Sequence, residues 1–539
     1  MSRSTSASRG SSSNSGELSS AQLAATIGSY LAEHPAAAVL DDGKLLFDMR
    51  SAKYSVAESH GRCLLQLWSE ERNLVRSVVG LESRAGTLRI ATRRMGASRP
   101  ETLELAATSD RRTPTARDAA RQQYLRLLVR VLSRHFPDCR TEGFRAATDL
   151  EHSFGPAYVR GLLLRGSKGM HTDAVIGVSA SESASMIDGV LTLGLLWLDY
   201  CREHGVTRNR HIGGLKVIVP AGAWRTTAER IAWLHPGLAN YQLFTLDERS
   251  EELTEIDCRD IGNIASRLVH AFDAEVALRR AETGIHCVMD LAPLASRSRV
   301  EIRAHSPAEV ALLLHGLEFA RIRQGTAPNS FAPQQEITFG AGAHETPLSY
   351  ETEALCRTLL TQLFLSRHAD GSQTDALFRL QSERWLESRI RTHLADFLPD
   401  LRGEFLYSQV PAIGAGERGM LDLLTIDRES RLTILEVKAG EDMHLPLQGL
   451  DYWIRVRALL ADRHASGPSA FERQGYFAGT QLSTKPPRLL LIAPALRIHP
   501  SNEIVLRYLS PQIEWELIAV GEHWRRELKT VFRKRSTNL

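Results

Sequence analysis

Residues 419–442, "GMLDLLTIDRESRLTILEVKAGED", decide how the C-terminal part of this chain folds. Two apolar runs flank the polar stretch at Asp427–Ser430, which predicts two antiparallel strands joined by a tight turn. Side chains on a strand alternate between faces, so Glu436 and Lys438 share one surface while Val437 turns into the core behind them. Opposite charges so placed at the end of an apolar run form either an ion pair or a site. The hairpin also brings Asp422 beside Glu436. These two carboxylates and the Val437 carbonyl offer oxygen donors suited to a hard divalent cation such as Mg²⁺. Lys438, on the same face, is placed to orient or deprotonate a water and to stabilise charge developing on phosphorus.

Outward from this hairpin, the pattern predicts a helix at "QSERWLESRIRTHLADFLPD" and a strand at "FLYSQVPAI" before it. After it come a helix at "PLQGLDYWIRVRALL", a strand at "RLLLIAPAL", a helix and a strand at "EWELIAVGE". That order predicts a mixed sheet with helices on its faces. Gly419-Met420-Leu421-Asp422, Glu436-Val437-Lys438 and Gln448-Gly449-Leu450-Asp451-Tyr452 resemble the GxxD, ExK and QxxxY motifs of the PD-(D/E)xK nuclease superfamily, in its RecB-like branch. The resemblance covers about residues 381–525, and Asp422 is preceded by Leu and not Pro. It implies a restriction-endonuclease-like fold. Asp422 and Glu436 would then be ligands of Mg²⁺ or Mn²⁺, Lys438 the residue assisting the attacking water, and Gln448 and Tyr452 groups flanking the site. A first-helix Glu often joins the metal site in that superfamily; Glu383 and Glu387 both qualify, one helical turn apart.

An earlier α/β block repeats this order. "RHFPDCRTEGFR" parallels "ADFLPDLRGEFL", "RGLLLRG" parallels "RGMLDLL", and "AVIGVSASES" parallels "TILEVKAGED". Under that alignment Leu164, Gly177 and Ser179 take the places of Asp422, Glu436 and Lys438. An internal duplication with one catalytically silent copy is therefore expected, either as a dimer-like cleft within one chain or as a homodimer that cuts two strands.

The expected fold class is α/β. Its segments are a Ser-rich disordered tail at 1–20, a small β-rich domain at 37–110, the silent nuclease-like copy at 113–248, a mostly helical connecting domain at 249–375, and the nuclease domain at 376–539. In the connecting domain "SPAEVALLLHGLEFARIR" reads as helix, and "RQGTAPNSFAPQQEITFGAGAHETPLS" as a surface or ligand-facing loop. A chain of 539 residues is too long for one core, and 43% hydrophobic with 24% charged residues excludes a wholly disordered chain. Net charge is only +3, so any basic footprint for nucleic acid must be local. Six scattered cysteines suit a reducing cytoplasm, and no apolar run is long enough to span a bilayer. No P-loop occurs, so autonomous ATP hydrolysis is not expected.

The expected activity is metal-dependent phosphodiester hydrolysis, with DNA ahead of RNA as substrate. The rival is a nucleic-acid-binding or assembly protein that keeps the fold with little turnover. Two further features stay open. Phe471, Arg473, Tyr476, Phe477, Lys485 and Arg488 form either a base-stacking surface or a packed loop. The basic run from Arg525 to Arg535 either holds a polyanion or is simply solvated. His152 has no GxSxG elbow or second partner and reads as a structural or substrate-contacting histidine.

Overall fold

The computed structural model describes residues 19–536, apart from 42–43, 50–51, 60, 69–72, 85–86, 94–99, 108–113, 150, 166–170, 206–210, 261–266, 327–332, 343–344, 415–416 and 463–466. The expected tail thus lies almost wholly outside the described residues, as do Arg72 and Arg94 of the β-rich segment. The chain divides into two compact units. One is Met1–Arg111 with Thr338–Thr352, and the other is Arg112–Ile337 with Glu353–Leu539.

In the first unit a helix at Ser20–Glu33 begins with a capping box on Ser19 and Gln22. It buries Leu23, Ile27 and Leu31, spaced for one face, against a seven-stranded antiparallel sheet. The helix and residues 338–352 therefore belong with the β-rich segment.

The second unit contains two sheets of matching design. Strands Cys139–Arg145, Tyr158–Arg165, His171–Val178, His211–Pro220, Asn240–Asp247 and Glu252–Ile256 lie side by side in chain order. So do Tyr407–Gly414, Glu417–Ile426, Leu432–Val437, Arg488–Pro494, Trp515–Val520 and Thr530–Arg535. In both, neighbouring strands run antiparallel, antiparallel, parallel, parallel and antiparallel. Leu432–Val437 is buried at every position, because both faces are covered, and so it reads as a continuous apolar run with no alternation.

A glycine lets a helix lie close on each sheet. At Gly194 a Cβ would fall 3.1 Å from Ile176, and at Gly449 2.6 Å from Leu491. These glycines sit in helices Val190–Gly205 and Leu445–Ala461. One hydrophobic core runs through both helices and the inner faces of both sheets.

The connecting segment is not mostly helical. Helices at Ala274–Leu291 and Glu353–Ser366 are present, but "SPAEVALLLHGLEFARIR" forms the antiparallel strands Glu309–Leu314 and Leu317–Thr326, beside Val300–Ser306. The stretch expected to be a loop contains the strand Pro333–Phe339. His315 and Gly316, at φ 48° and 73°, make the left-handed two-residue turn that a hairpin requires. That turn docks on helix Ser382–Thr392. The His315 ring stacks on Trp385 at 4.9 Å, and the fully buried Arg367 donates to the carbonyls of Leu314, His315, Leu377 and Leu380. Gly316→Ala would strain the turn by about 1–2 kcal/mol through its positive φ, and its Cβ would overlap the Arg384 carbonyl. A fall in thermal stability is expected; an unchanged melting curve would contradict this docking role.

The terminal basic run is not a free tail. Thr530–Arg535 is an edge strand on Trp515–Val520, with Arg533 and Arg535 on Glu516 at 3.2 and 3.4 Å. Arg525 lies over the Trp524 ring at 4.1 Å. Among the described residues no helix is long and apolar enough to cross a membrane.

Candidate active site

The antiparallel pairing of Leu423 with Leu435 places Asp422 and Glu436 one step beyond, at the end of the paired region. The Val437 amide donates to Asp422 Oδ2 at 3.1 Å, tying the two strand ends together. Glu436 is only 2% exposed, and its Oε2 has no hydrogen-bond partner. Burial first, and then the neighbouring Asp422 charge, raise its pKa well above the ordinary carboxylate range, against the pull of Lys438.

Lys438 Nζ lies 3.6 Å from Glu436, 3.8 Å from Glu383 and 3.9 Å from Asp442. Burial works to lower its pKa, but Glu436, Glu383, Asp442 and Asp422 together outweigh that and raise it. In this state Lys438 is a cation held among carboxylates, suited to positioning and charge stabilisation more than to proton abstraction.

Of the two first-helix candidates, Glu383 faces Lys438 and is half-exposed. Glu387 is buried in a cage of arginines, with Arg384 at 3.0 Å and Arg303 at 3.6 Å. Burial outweighs those guanidiniums and raises its pKa, with the Asp422 charge adding to the rise, so both Glu383 and Glu387 lie near the site. Arg384 also reaches Asp422 at 3.9 Å. Arg384, Arg303 and Asp442 were not foreseen; Asp442, four residues after Lys438 in the quoted stretch, could have been.

Tyr452 is partly buried, and burial together with the Glu436 and Asp422 charges raises its pKa, which places its phenol within their field. The Gln448 Oε1 is buried without a partner. Val437 is core, contributing to the site only through its backbone.

The same register corrects the expected equivalences in the N-terminal block. Pro220 and Pro494 end matching strands; Leu215 pairs with Ala174 and Tyr241 as Leu489 pairs with Ile434 and Trp515. Ile176, not Gly177, then matches Glu436, and Val178, not Ser179, matches Lys438. Opposite Ile176 is Arg160, which takes the place of Asp422, not Leu164. Gly177 points to the other face, where a Cβ would meet Leu128 and Tyr124. Arg160 is fully buried, 4.5 Å from the Phe154 ring centre, and donates to the Ala147 carbonyl at 3.0 Å.

The aromatic loop resolves as packing. Tyr476 and Phe477 are buried against Phe405 and Tyr407, and Phe471 is buried against Tyr476 and Phe477. Arg473, Lys485 and Arg488 pair with Asp462, Glu429 and Asp400. His152 bonds Asp149 at 3.0 Å and packs on Tyr200.

Among the described residues no three His, Cys, Asp or Glu side chains converge as a metal-holding group. Two carboxylates do meet, and the orphaned Glu436 oxygen with its raised pKa marks a deficit of positive charge that a divalent cation would fill. The donor set fits Mg²⁺ or Mn²⁺, which prefer oxygen ligands.

A pH dependence follows. Because the folded pKa of Glu436 lies above its unfolded value, its contribution to stability is present below the ordinary carboxylate range and is lost as pH rises through the raised pKa. Thermal melts with and without Mn²⁺ should therefore coincide in acid and diverge as pH rises, the metal stabilising more at higher pH. A metal effect that did not change with pH, or that persisted in Glu436→Gln, would contradict this.

Compared with known proteins, the chain matches no family model, and no curated protein matches it.

Proposed function

We propose that this chain is a divalent-metal-dependent nuclease hydrolysing phosphodiester bonds, in DNA ahead of RNA, at Asp422, Glu436 and Lys438. The observation that carries the reading is Glu436: a buried carboxylate with an unsatisfied oxygen, beside a second carboxylate and 3.6 Å from a lysine. Asp422 and Glu436 would hold Mg²⁺ or Mn²⁺, with Glu383 at hand beside Lys438. When bound, such an ion supplies a Lewis acid for the phosphate and lowers the pKa of the attacking water. Lys438 orients that water and offsets the charge that builds on phosphorus. Tyr452 and Gln448 flank the site on the helix Leu445–Ala461, and Glu436 is held out of bulk water while Asp422 stays partly exposed.

The reading includes a restriction-endonuclease-like fold for residues 376–539, and a duplicated, metal-less copy of it at 113–248. The shared strand order and sense, and the paired glycines Gly194 and Gly449, support this. The six cysteines, all unpaired, are in keeping with a reducing cytoplasm.

A second reading is a nucleic-acid-binding or assembly protein with negligible turnover. It is favoured by the engagement of both Glu436 and Glu383 by Lys438, where among the described residues no metal-holding group of three side chains forms. Labelled single-stranded, duplex, mismatched, branched and RNA substrates with Mg²⁺ or Mn²⁺ separate the two. Cleavage by the native chain and none by Lys438→Ala is the expected result. Binding without cleavage of any substrate would favour the second reading.

A further inference from the structure

The two α/β blocks meet as the halves of a symmetric dimer would, although they belong to one chain. In a two-fold contact each interaction has a mate with the partners exchanged. The His235 amide donates to the Tyr508 carbonyl at 2.8 Å, and the Ser510 amide donates to the Trp233 carbonyl at 2.9 Å. Trp233-Leu234-His235-Pro236 follows the short helix Arg225–Ile231, just as Tyr508-Leu509-Ser510-Pro511 follows Ser501–Arg507. Each bond is therefore the exchange mate of the other. Leu234 and Leu509, matching residues, bridge each other between them.

The surrounding helices obey the same exchange. Val190–Gly205 packs on Ser501–Arg507, and Leu445–Ala461 packs on Arg225–Ile231. The face that a homodimer of such blocks would use is thus occupied inside the chain.

The matching stops at the charged groups, and Arg230 with Asp451 has no exchange mate, Val505 and Leu196 standing at those positions. Where one block gathers Asp422, Glu436 and Lys438, the other has Arg160, Ile176 and Val178. A buried guanidinium stands where the first block collects negative charge, so that half cannot hold a cation.

We infer that the chain is a self-contained pseudo-dimer with a single working centre, and that on duplex DNA it breaks one strand per encounter. The inference rests on the nuclease reading above. In the step proposed, a water oxygen bonds to phosphorus and the P–O3′ bond breaks. One water proton passes to the leaving oxygen, giving a 5′-phosphate and a 3′-hydroxyl. A concerted double-strand break needs a second centre aimed at the opposite strand, and among the described residues the matching block offers Arg160, Ile176 and Val178 in its place.

The test uses the full chain on supercoiled plasmid with Mn²⁺, sampled over time. Light scattering of the Glu436→Gln chain on a short duplex gives the number of chains bound. Expected are open circles accumulating without linear DNA while supercoiled substrate remains, and one 539-residue chain per duplex. Linear DNA appearing in step with loss of the supercoiled form, or two chains per duplex, would overturn the inference while leaving the nuclease reading intact. No cleavage at all, with binding retained, would remove the nuclease reading and strand scission together.

Discussion

Glu436→Gln is expected to raise the melting temperature of the metal-free protein at neutral pH and at the same time to abolish cleavage. The two effects have one cause. Glu436 is a buried carboxylate pushed toward protonation by burial and by Asp422, with one oxygen unsatisfied. A neutral amide of the same shape removes the cost of keeping a charge there, roughly 1–3 kcal/mol for a poorly paired buried polar group. It also removes the negative charge that would hold the metal, and cleavage should fall by about three orders of magnitude or more, the scale of losing a charge-stabilising group. Lys438→Ala should cost activity on a similar scale without the gain in stability, since it leaves Glu436, Glu383 and Asp442 facing one another. Calorimetry and a cleavage time course on the same preparations decide this. A Glu436→Gln protein that is both less stable and fully active would show that Glu436 is an ordinary core acid.

Arg230→Met should destabilise the second unit by about 3 kcal/mol, the low end of the range for breaking a buried ion pair. Arg230 is only 4% exposed; its guanidinium donates to Asp451 at 2.8 and 2.7 Å and to Asp188 at 3.0 Å. Burial works against the charge, and the two carboxylates outweigh it. Asp188 is half-exposed and can be rehydrated, so most of the loss comes from Asp451. Asp451 lies between Gln448 and Tyr452 in sequence, on the helix that flanks the site. At the start of that helix, His444 Nδ1 meets Thr192 Oγ1 of the N-terminal block at 2.9 Å. The block that lacks counterparts of Asp422 and Glu436 thus holds the helix of the block that has them. Urea denaturation of Arg230→Met, Asp451→Asn and the double variant measures the coupling. The double variant should recover part of the loss, and strictly additive losses would argue against the pair.

Much of the C-terminal block was legible because its strands are short apolar runs bounded by turns and its helices carry clear spacing. Asp422, Glu436 and Lys438 could be brought together on paper because a tight turn and a two-residue alternation leave little freedom. The segment Glu309–Thr326 was misread as helix for an equally physical reason. "VALLL" is buried on both sides and shows no alternation, and its turn is His315-Gly316, not the commoner Asn-Gly. The basic run Thr530–Arg535 does alternate, but only Glu516 on the neighbouring strand gives its arginines a reason to form an edge.

By itself the sequence determined the alternation of strands and helices in both blocks, the hairpin at 419–442 and the pairing of its charges, because these depend on neighbours a few residues away. Tertiary structure alone decided which residues occupy matching positions in the two blocks. A one-residue change of register moves every side chain to the opposite face, so Ile176 and Arg160, not Gly177 and Leu164, lie where the carboxylates would be. It also set Glu383 and Glu387 apart, since only packing brings Arg303, some eighty residues earlier in the chain, against Glu387 while Glu383 faces Lys438.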